Sequence, residues 1–206
     1  MGTKSKTSSN RKRGRGVFCL EGDWWGITDT TSIEPALELL KSSGQRAFDY
    51  IHRDVGVVAE LEYYLAKWTQ RQLARYPILY LGFHGDEGCV CVGDARRREH
   101  KLSLDWFEER LEGRCNKRVI HFGSCGFMAK DARRLRRFLR RTGALAVCGY
   151  KGDVGWLESI AFELLLLDEF QECAWDAGRG MAGVNRRLRK HAAGLARMLN
   201  FRMVHG

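Results

Sequence analysis

The sequence predicts an α/β protein, a three-layer αβα sandwich around a mostly parallel central sheet, and three observations carry that expectation. Short apolar runs alternate along the whole chain with segments of helical period. The run at 78–83 has no polar alternation, as expected of a strand covered on both faces. No internal repeat or interdomain linker breaks the series, so strand and helix follow one another as in a doubly covered sheet.

Taken in order, residues 1–16 read as a basic, disordered tail and 17–206 as a single domain. The tail has no apolar core, so it is not expected to be a secretory signal. Val17-Phe18-Cys19-Leu20-Glu21-Gly22 predicts the first strand. Thr31 and Glu34 have capping-box spacing ahead of Ala36-Leu37-Glu38-Leu39-Leu40, which places a helix start there. A second strand is expected at 47–52, then one long amphipathic helix from Val57 to about Tyr76, ended by Pro77.

The third strand, 78–83, should be central, and Cys89-Val90-Cys91-Val92-Gly93 should form a small hairpin arm. Ser103 caps a helix to Leu111, and a strand follows at 119–123. Lys130 to Arg141 predicts a helix with a basic outer face that stops at Gly143, and Ala144-Leu145-Ala146-Val147-Cys148 supplies a fifth strand. Two helices close the chain, Trp156 to Phe170 and Val184 to about Met203.

Composition narrows the function classes. The 206 residues suit one domain with a full core, and a hydrophobic fraction of 44% is ordinary for a globule. Seven cysteines are an odd number, and several sit in apolar runs, so a reducing, cytoplasmic setting is expected rather than a disulfide framework. No stretch approaches the roughly 18 apolar residues of a membrane span, so no membrane partner is expected. Of the formal charge of +10, six units lie on Lys4, Lys6, Arg11, Lys12, Arg13 and Arg15, leaving +4 for the rest. The basic tail and the basic helix read either as solvated surface or as a contact for nucleic acid or an acidic protein.

Two segments carry reactive side chains. Ile78 to Gly88 contains His84-Gly85, and Val119 to Gly126 contains Cys125, 41 residues after the histidine. Both residues follow strands, and the carboxyl edge of a parallel sheet is where ligands bind. Imidazole can take a thiol proton, and the thiolate is the attacking species, so His84 and Cys125 form a candidate nucleophile and base. His121 is four strand residues from Cys125, roughly 13 Å at a rise of about 3.3 Å per residue, too far to be its base. His52 is a weaker competitor, while His100, His191 and His205 stand in polar or helical contexts. Cys89 and Cys91 lack the second ligand pair a zinc site needs, and no phosphate-loop pattern occurs, so neither metal nor cofactor is expected.

These residues resemble a caspase-like cysteine protease. Leu81-Gly82-Phe83-His84-Gly85-Asp86-Glu87-Gly88 is similar to the strand, His-Gly and acidic loop of that family, and Val119 to Cys125 resembles the strand leading to its nucleophile. The resemblance spans about Val17 to Leu167 and implies a caspase-like form of the sandwich. It further implies that His84 is the general acid and base, Cys125 the nucleophile and Gly85 an oxyanion donor, acting on a protein substrate without a cofactor. The family signature Q-A-C-[RQG]-G is met only in part. Gly123 stands where the family's Gln binds a substrate aspartate, so aspartate specificity is not implied, and the chain looks closer to prokaryotic relatives, including the CHAT proteases.

In this family the specificity pocket is built by loops after the first and fifth strands. Here they contain Asp23-Trp24-Trp25 and Tyr150-Lys151-Gly152-Asp153-Val154-Gly155-Trp156. The resemblance makes Asp153 and Asp23 candidate substrate-binding residues that would select Lys or Arg. They read equally as turn aspartates, and Asp86 and Glu87 are candidates for raising the basicity of His84. The expected role is a regulated effector, gated by an activating protein partner or by tail removal and acting in bacterial antiviral defence or cell death. Two alternatives stand beside it: a catalytically silent caspase-like interaction module, and a nucleic-acid binder acting through the basic tail.

Overall fold

Apolar runs and amphipathic segments fold in strict succession along the chain. A computed structural model describes residues 14–26, 28–43, 48–86, 88–172, 175 and 179–206. The elements are β1 (Val17–Glu21), α1 (Glu34–Ser42), β2 (Tyr50–Asp54), α2 (Val58–Trp68), β3 (Ile78–Gly82), β4 (His84–Asp86), β5 (Cys89–Cys91) and β6 (Lys101–Leu102). They continue with α3 (Leu104–Leu111), β7 (Val119–Phe122), α4 (Ala132–Thr142), β8 (Ala146–Tyr150), α5 (Trp156–Glu172), α6 (Arg179–His191), α7 (Ala193–Met198) and β9 (Phe201–His205).

Six strands form the central sheet in the order β2-β1-β3-β7-β8-β9, and β4-β5-β6 form a small antiparallel sheet beside it. The first five central strands run parallel and β9 runs antiparallel on the edge next to β8. The sheet is covered on both sides. Leu20, Leu79, Leu81, Ile120 and Phe122 face Leu61 and Trp68 of α2, Phe107 of α3 and Phe138 of α4. Val17, Cys19, Ile78, Tyr80, Val119 and Cys148 face Leu37 of α1, Phe162 and Leu166 of α5 and Val184 of α6. This is the three-layer αβα arrangement the sequence predicts. The double cover explains the missing alternation in β1, β3 and β7, and each fully buried Leu or Phe contributes about 1.5–3 kcal/mol.

Several local expectations are corrected. Thr31 does not cap α1: its hydroxyl donates to Asp29, and the Ser32 hydroxyl accepts the Glu34 N–H at 3.0 Å instead. The second strand lies at Tyr50–Asp54, later than the expected 47–52, and Ala47 is outside the described residues. The long helix to Tyr76 stops at Trp68 and a short 3₁₀ turn, Arg71–Leu73, follows. The single closing helix to Met203 is two helices and a strand, because the chain leaves the helical path after Met198 and turns at Asn200, whose φ is +48°.

Two capping expectations hold. Ser103 accepts the Trp106 N–H at 3.4 Å ahead of α3, and Gly143 closes α4 in the left-handed region at φ +78°. The outer face of α4 is only partly free. Arg134, Arg137 and Arg141 all pair with the buried Glu108 of α3, and Asp105 and Glu112 join them. Of the basic tail, 1–13 lie outside the described residues. Arg15 is anchored: its guanidinium donates to the carbonyls of Phe170 and Gln171 at 3.1 and 3.2 Å and lies over the Trp175 ring. Among the described residues no helix is long and apolar enough to cross a membrane.

Candidate active site

Parallel register brings the ends of β1, β3, β7 and β8 to one edge of the sheet. The loops beyond them are tied to one another by main-chain hydrogen bonds, Gly22 N–H to Gly82 at 2.9 Å, Gly123 N–H to Leu81 at 2.9 Å and Gly126 N–H to Gly152 at 3.1 Å. His84 opens β4, two residues past Gly82, with the buried Phe83 between them as an anchor. Cys125 lies in the turn after β7, followed by Gly126 at φ +64°.

His84 and Cys125 line one small cavity of about 60 Å³ together with Trp24, Trp25, Val154 and Trp156; Tyr80, Gly123 and Ser159 complete it. A second cavity of about 270 Å³ adjoins His84 and is lined by Asp23, Trp24, Val55, Cys91 and Asp94 among others. The imidazole is held on three sides. Its Nε2 bonds to the main-chain carbonyl of Trp24, and the Trp24 and Trp25 rings meet it edge-on at 5.4 and 5.2 Å between centroids. A carbonyl only accepts, so Nε2 carries the proton and Nδ1 is left as the basic nitrogen of the neutral ring.

Gly85 is forced by its neighbour. A Cβ at this position would overlap the carbonyl oxygen of Cys125 and stand 2.7 Å from its amide nitrogen. The main chains of Gly85 and Cys125 therefore touch, which only glycine permits. Gly123 is constrained as well, since a Cβ there would lie 2.9 Å from the Tyr80 hydroxyl and 3.3 Å from the Leu81 carbonyl. That contact accounts physically for the absence of a longer side chain in front of Ser124-Cys125.

Beneath these loops lie two buried polar clusters. Glu21, at the end of β1 and 2% exposed, accepts from the Trp24 indole N–H at 2.6 Å, the Ser32 hydroxyl at 2.7 Å, the Ile33 N–H at 2.9 Å and His52 Nε2 at 2.7 Å. Burial pushes the Glu21 carboxyl up, but hydrogen bonds from His52, Ser32, Trp24 and Ile33 outweigh it and hold the group below its ordinary value. Burial works against charge on His52 too, yet the bond to Glu21 and the charges of Glu21, Glu34 and Asp54 raise it. Since Trp24 also supplies the carbonyl that orients His84, Glu21 fixes the loop that fixes the imidazole.

The second cluster centres on Glu163 of α5, which accepts from the Tyr80 hydroxyl at 2.7 Å, the Tyr150 hydroxyl at 2.8 Å and His121 Nε2 at 3.0 Å. His121 Nδ1 lies 3.4 Å from Cys148 Sγ. His121 is thus a fully buried member of a structural network and takes no part in the Cys125 cavity. Burial, and then the Glu163 charge, push Tyr80, Tyr150 and Cys148 up.

The remaining sequence candidates separate. Asp23 lines the larger cavity beside His84, whereas Asp153 is exposed and lines neither cavity that His84 shares. Asp86 is paired with Lys101, and Glu87 lies outside the described residues. His52 belongs to Glu21 rather than to Cys125. Glu21 and Glu163 escaped the sequence reading, although each had one signal: a carboxylate closing or interrupting an otherwise apolar segment. Such a group must find donors when buried. Glu21, His52 and Asp54 also bring ligand atoms within 4.8 Å of one another, but Glu21 is already saturated by the four donors above.

The profile of a family of unknown function, DUF6642, matches residues 14–205, and the chain belongs to that family. No curated protein matches it.

Proposed function

We propose that this chain is a cysteine endopeptidase that uses His84 and Cys125 as a dyad. The observation that supports the reading most is the shared cavity, which His84 and Cys125 both line while the Gly85 main chain packs against that of Cys125. Nδ1 of His84 takes the Cys125 thiol proton, and the thiolate attacks the scissile carbonyl carbon. The resulting oxyanion is held by the N–H groups of Cys125 and Gly85, each such donor contributing roughly 3–4 kcal/mol as measured by removal. The protonated imidazole returns its proton to the leaving amine, which departs as the thioester forms. Water, deprotonated by His84, then hydrolyses the thioester and restores the thiol.

The size of the cavity bears on regulation. About 60 Å³ is well below the 300 Å³ or more of a ligand pocket. Trp24 and Trp156 pack edge-on at 4.7 Å between centroids across this space. We read this as a latent site whose tryptophans part when a substrate or an activating protein partner binds. Arg134, Arg137 and Arg141 of α4 are paired with α3 carboxylates, which leaves less free charge on that helix.

Cleavage profiling with a peptide library, with and without candidate activators, tests the proposal. Cleavage is expected from the wild type and is lost in Cys125→Ala and His84→Ala, with circular dichroism unchanged. Full activity in either variant ends the dyad reading. Cleavage after Lys or Arg that is lost in Asp23→Asn would assign that residue to substrate binding, and the same test applies to Asp153→Asn.

A further inference from the structure

A cavity lies away from the dyad, between α6, α7, β9 and the residues just after β8. It measures about 680 Å³, within the range of small-molecule sites. Lys151, Arg189, Arg197 and Arg202 line it together with Asn185, over apolar side chains that include Phe201. No carboxylate is among its lining residues. On α4, by contrast, Arg134, Arg137 and Arg141 share the buried carboxylate of Glu108. In the cavity four of the described lining residues are cationic and none is acidic.

Arg202 gives the site a fixed element. Its Nη1 donates to the main-chain carbonyls of Met128 and Lys130, at 3.2 and 2.6 Å, so the guanidinium is held in place from one side, with Asp131 within range of its charge. A guanidinium already ordered loses little freedom on taking up an anion. Lys151 is held from the main chain, its N–H donating to the Asn200 carbonyl at 3.2 Å. We propose that this cavity binds a small molecule with clustered phosphoryl groups, its phosphates between Lys151, Arg189, Arg197 and Arg202 and its body against Phe201. Arginine forks and a lysine ammonium suit phosphate oxygens, Asn185 adds a neutral donor, and the apolar floor suits an organic body. The inference does not depend on the dyad chemistry.

Calorimetric titration of the full chain with tripolyphosphate, ATP and adenosine at low ionic strength tests it. Tripolyphosphate and ATP are expected to bind at one site, and adenosine is not. The Arg189→Gln/Arg197→Gln variant should weaken both roughly tenfold or more, and Lys151→Gln, at an independent loop position, should weaken them in the same direction. Arg133→Gln/Arg136→Gln, on the exposed face of α4 and outside the cavity lining, removes the same charge and should leave affinity within about twofold. The proposal is overturned if the wild type binds neither polyanion, if adenosine binds as tightly as ATP, or if the α4 variant weakens binding as much as the cavity variants. Wild-type affinity in both cavity variants overturns it equally.

Discussion

The main chain of Gly85 lies against that of Cys125, close enough that a Cβ at Gly85 would overlap the Cys125 carbonyl oxygen. Two segments 41 residues apart in sequence are thereby locked together at the point where a tetrahedral intermediate would form. Gly85→Ala should displace one of the two main chains. The expected result is a loss of peptidase activity of about 10²–10³-fold, the effect of removing one oxyanion donor, with a stability loss of about 1–3 kcal/mol from overpacking. Activity assays paired with urea unfolding check both, and activity near that of the wild type would place the oxyanion elsewhere.

The Glu21–His52 pair gives a pH signature. His52 is raised above its ordinary 6.5, so the stability it contributes is complete below that value and is lost as pH rises through the folded value. Glu21 is held below its ordinary 4.5, so its contribution is present above that value and is lost as pH falls through the folded one. The stability difference between the wild type and His52→Gln should therefore be largest between about pH 4.5 and 6.5 and shrink on either side. Denaturant midpoints across pH 4–9 measure this; a difference that grows steadily toward alkaline pH would contradict the pairing.

Gly123 answers a question that motif comparison leaves open. Gly123→Gln restores the residue type of the caspase signature, but its Cβ would press on the Tyr80 hydroxyl, which is fixed by Glu163. The variant should lose about 1–3 kcal/mol of stability and should gain no cleavage after aspartate. Thermal unfolding and the peptide profile check the two halves. Aspartate cleavage by a variant as stable as the wild type would show that the contact is not restrictive.

The elements most legible in the sequence were those fixed by double burial. β1, β3 and β7 read as unbroken apolar runs because helices cover both sheet faces, and the same runs delivered His84 and Cys125 to one edge. β9 was hidden because Phe201-Arg202-Met203-Val204-His205 is a half-covered edge strand, and the stripe of Leu188, Ala192, Leu195 and Leu199 hid the break between α6 and α7. Glu21 and Glu163 were illegible in a different way. A buried carboxylate is defined by its donors, and those come from Trp24, Ser32 and His52 for one and from Tyr80, His121 and Tyr150 for the other. Chain topology, not local pattern, brings such partners together.

The central claim is that His84 activates the Cys125 thiol, and the rate of Cys125 alkylation by iodoacetamide, resolved by mass spectrometry between pH 5 and 9, tests it most directly. The wild type should be alkylated at Cys125 at neutral pH at least roughly tenfold faster than His84→Ala, with the variant's rate rising only toward the pH of an ordinary thiol, about 8.5. Equal rates and equal pH profiles in the two proteins would contradict the account.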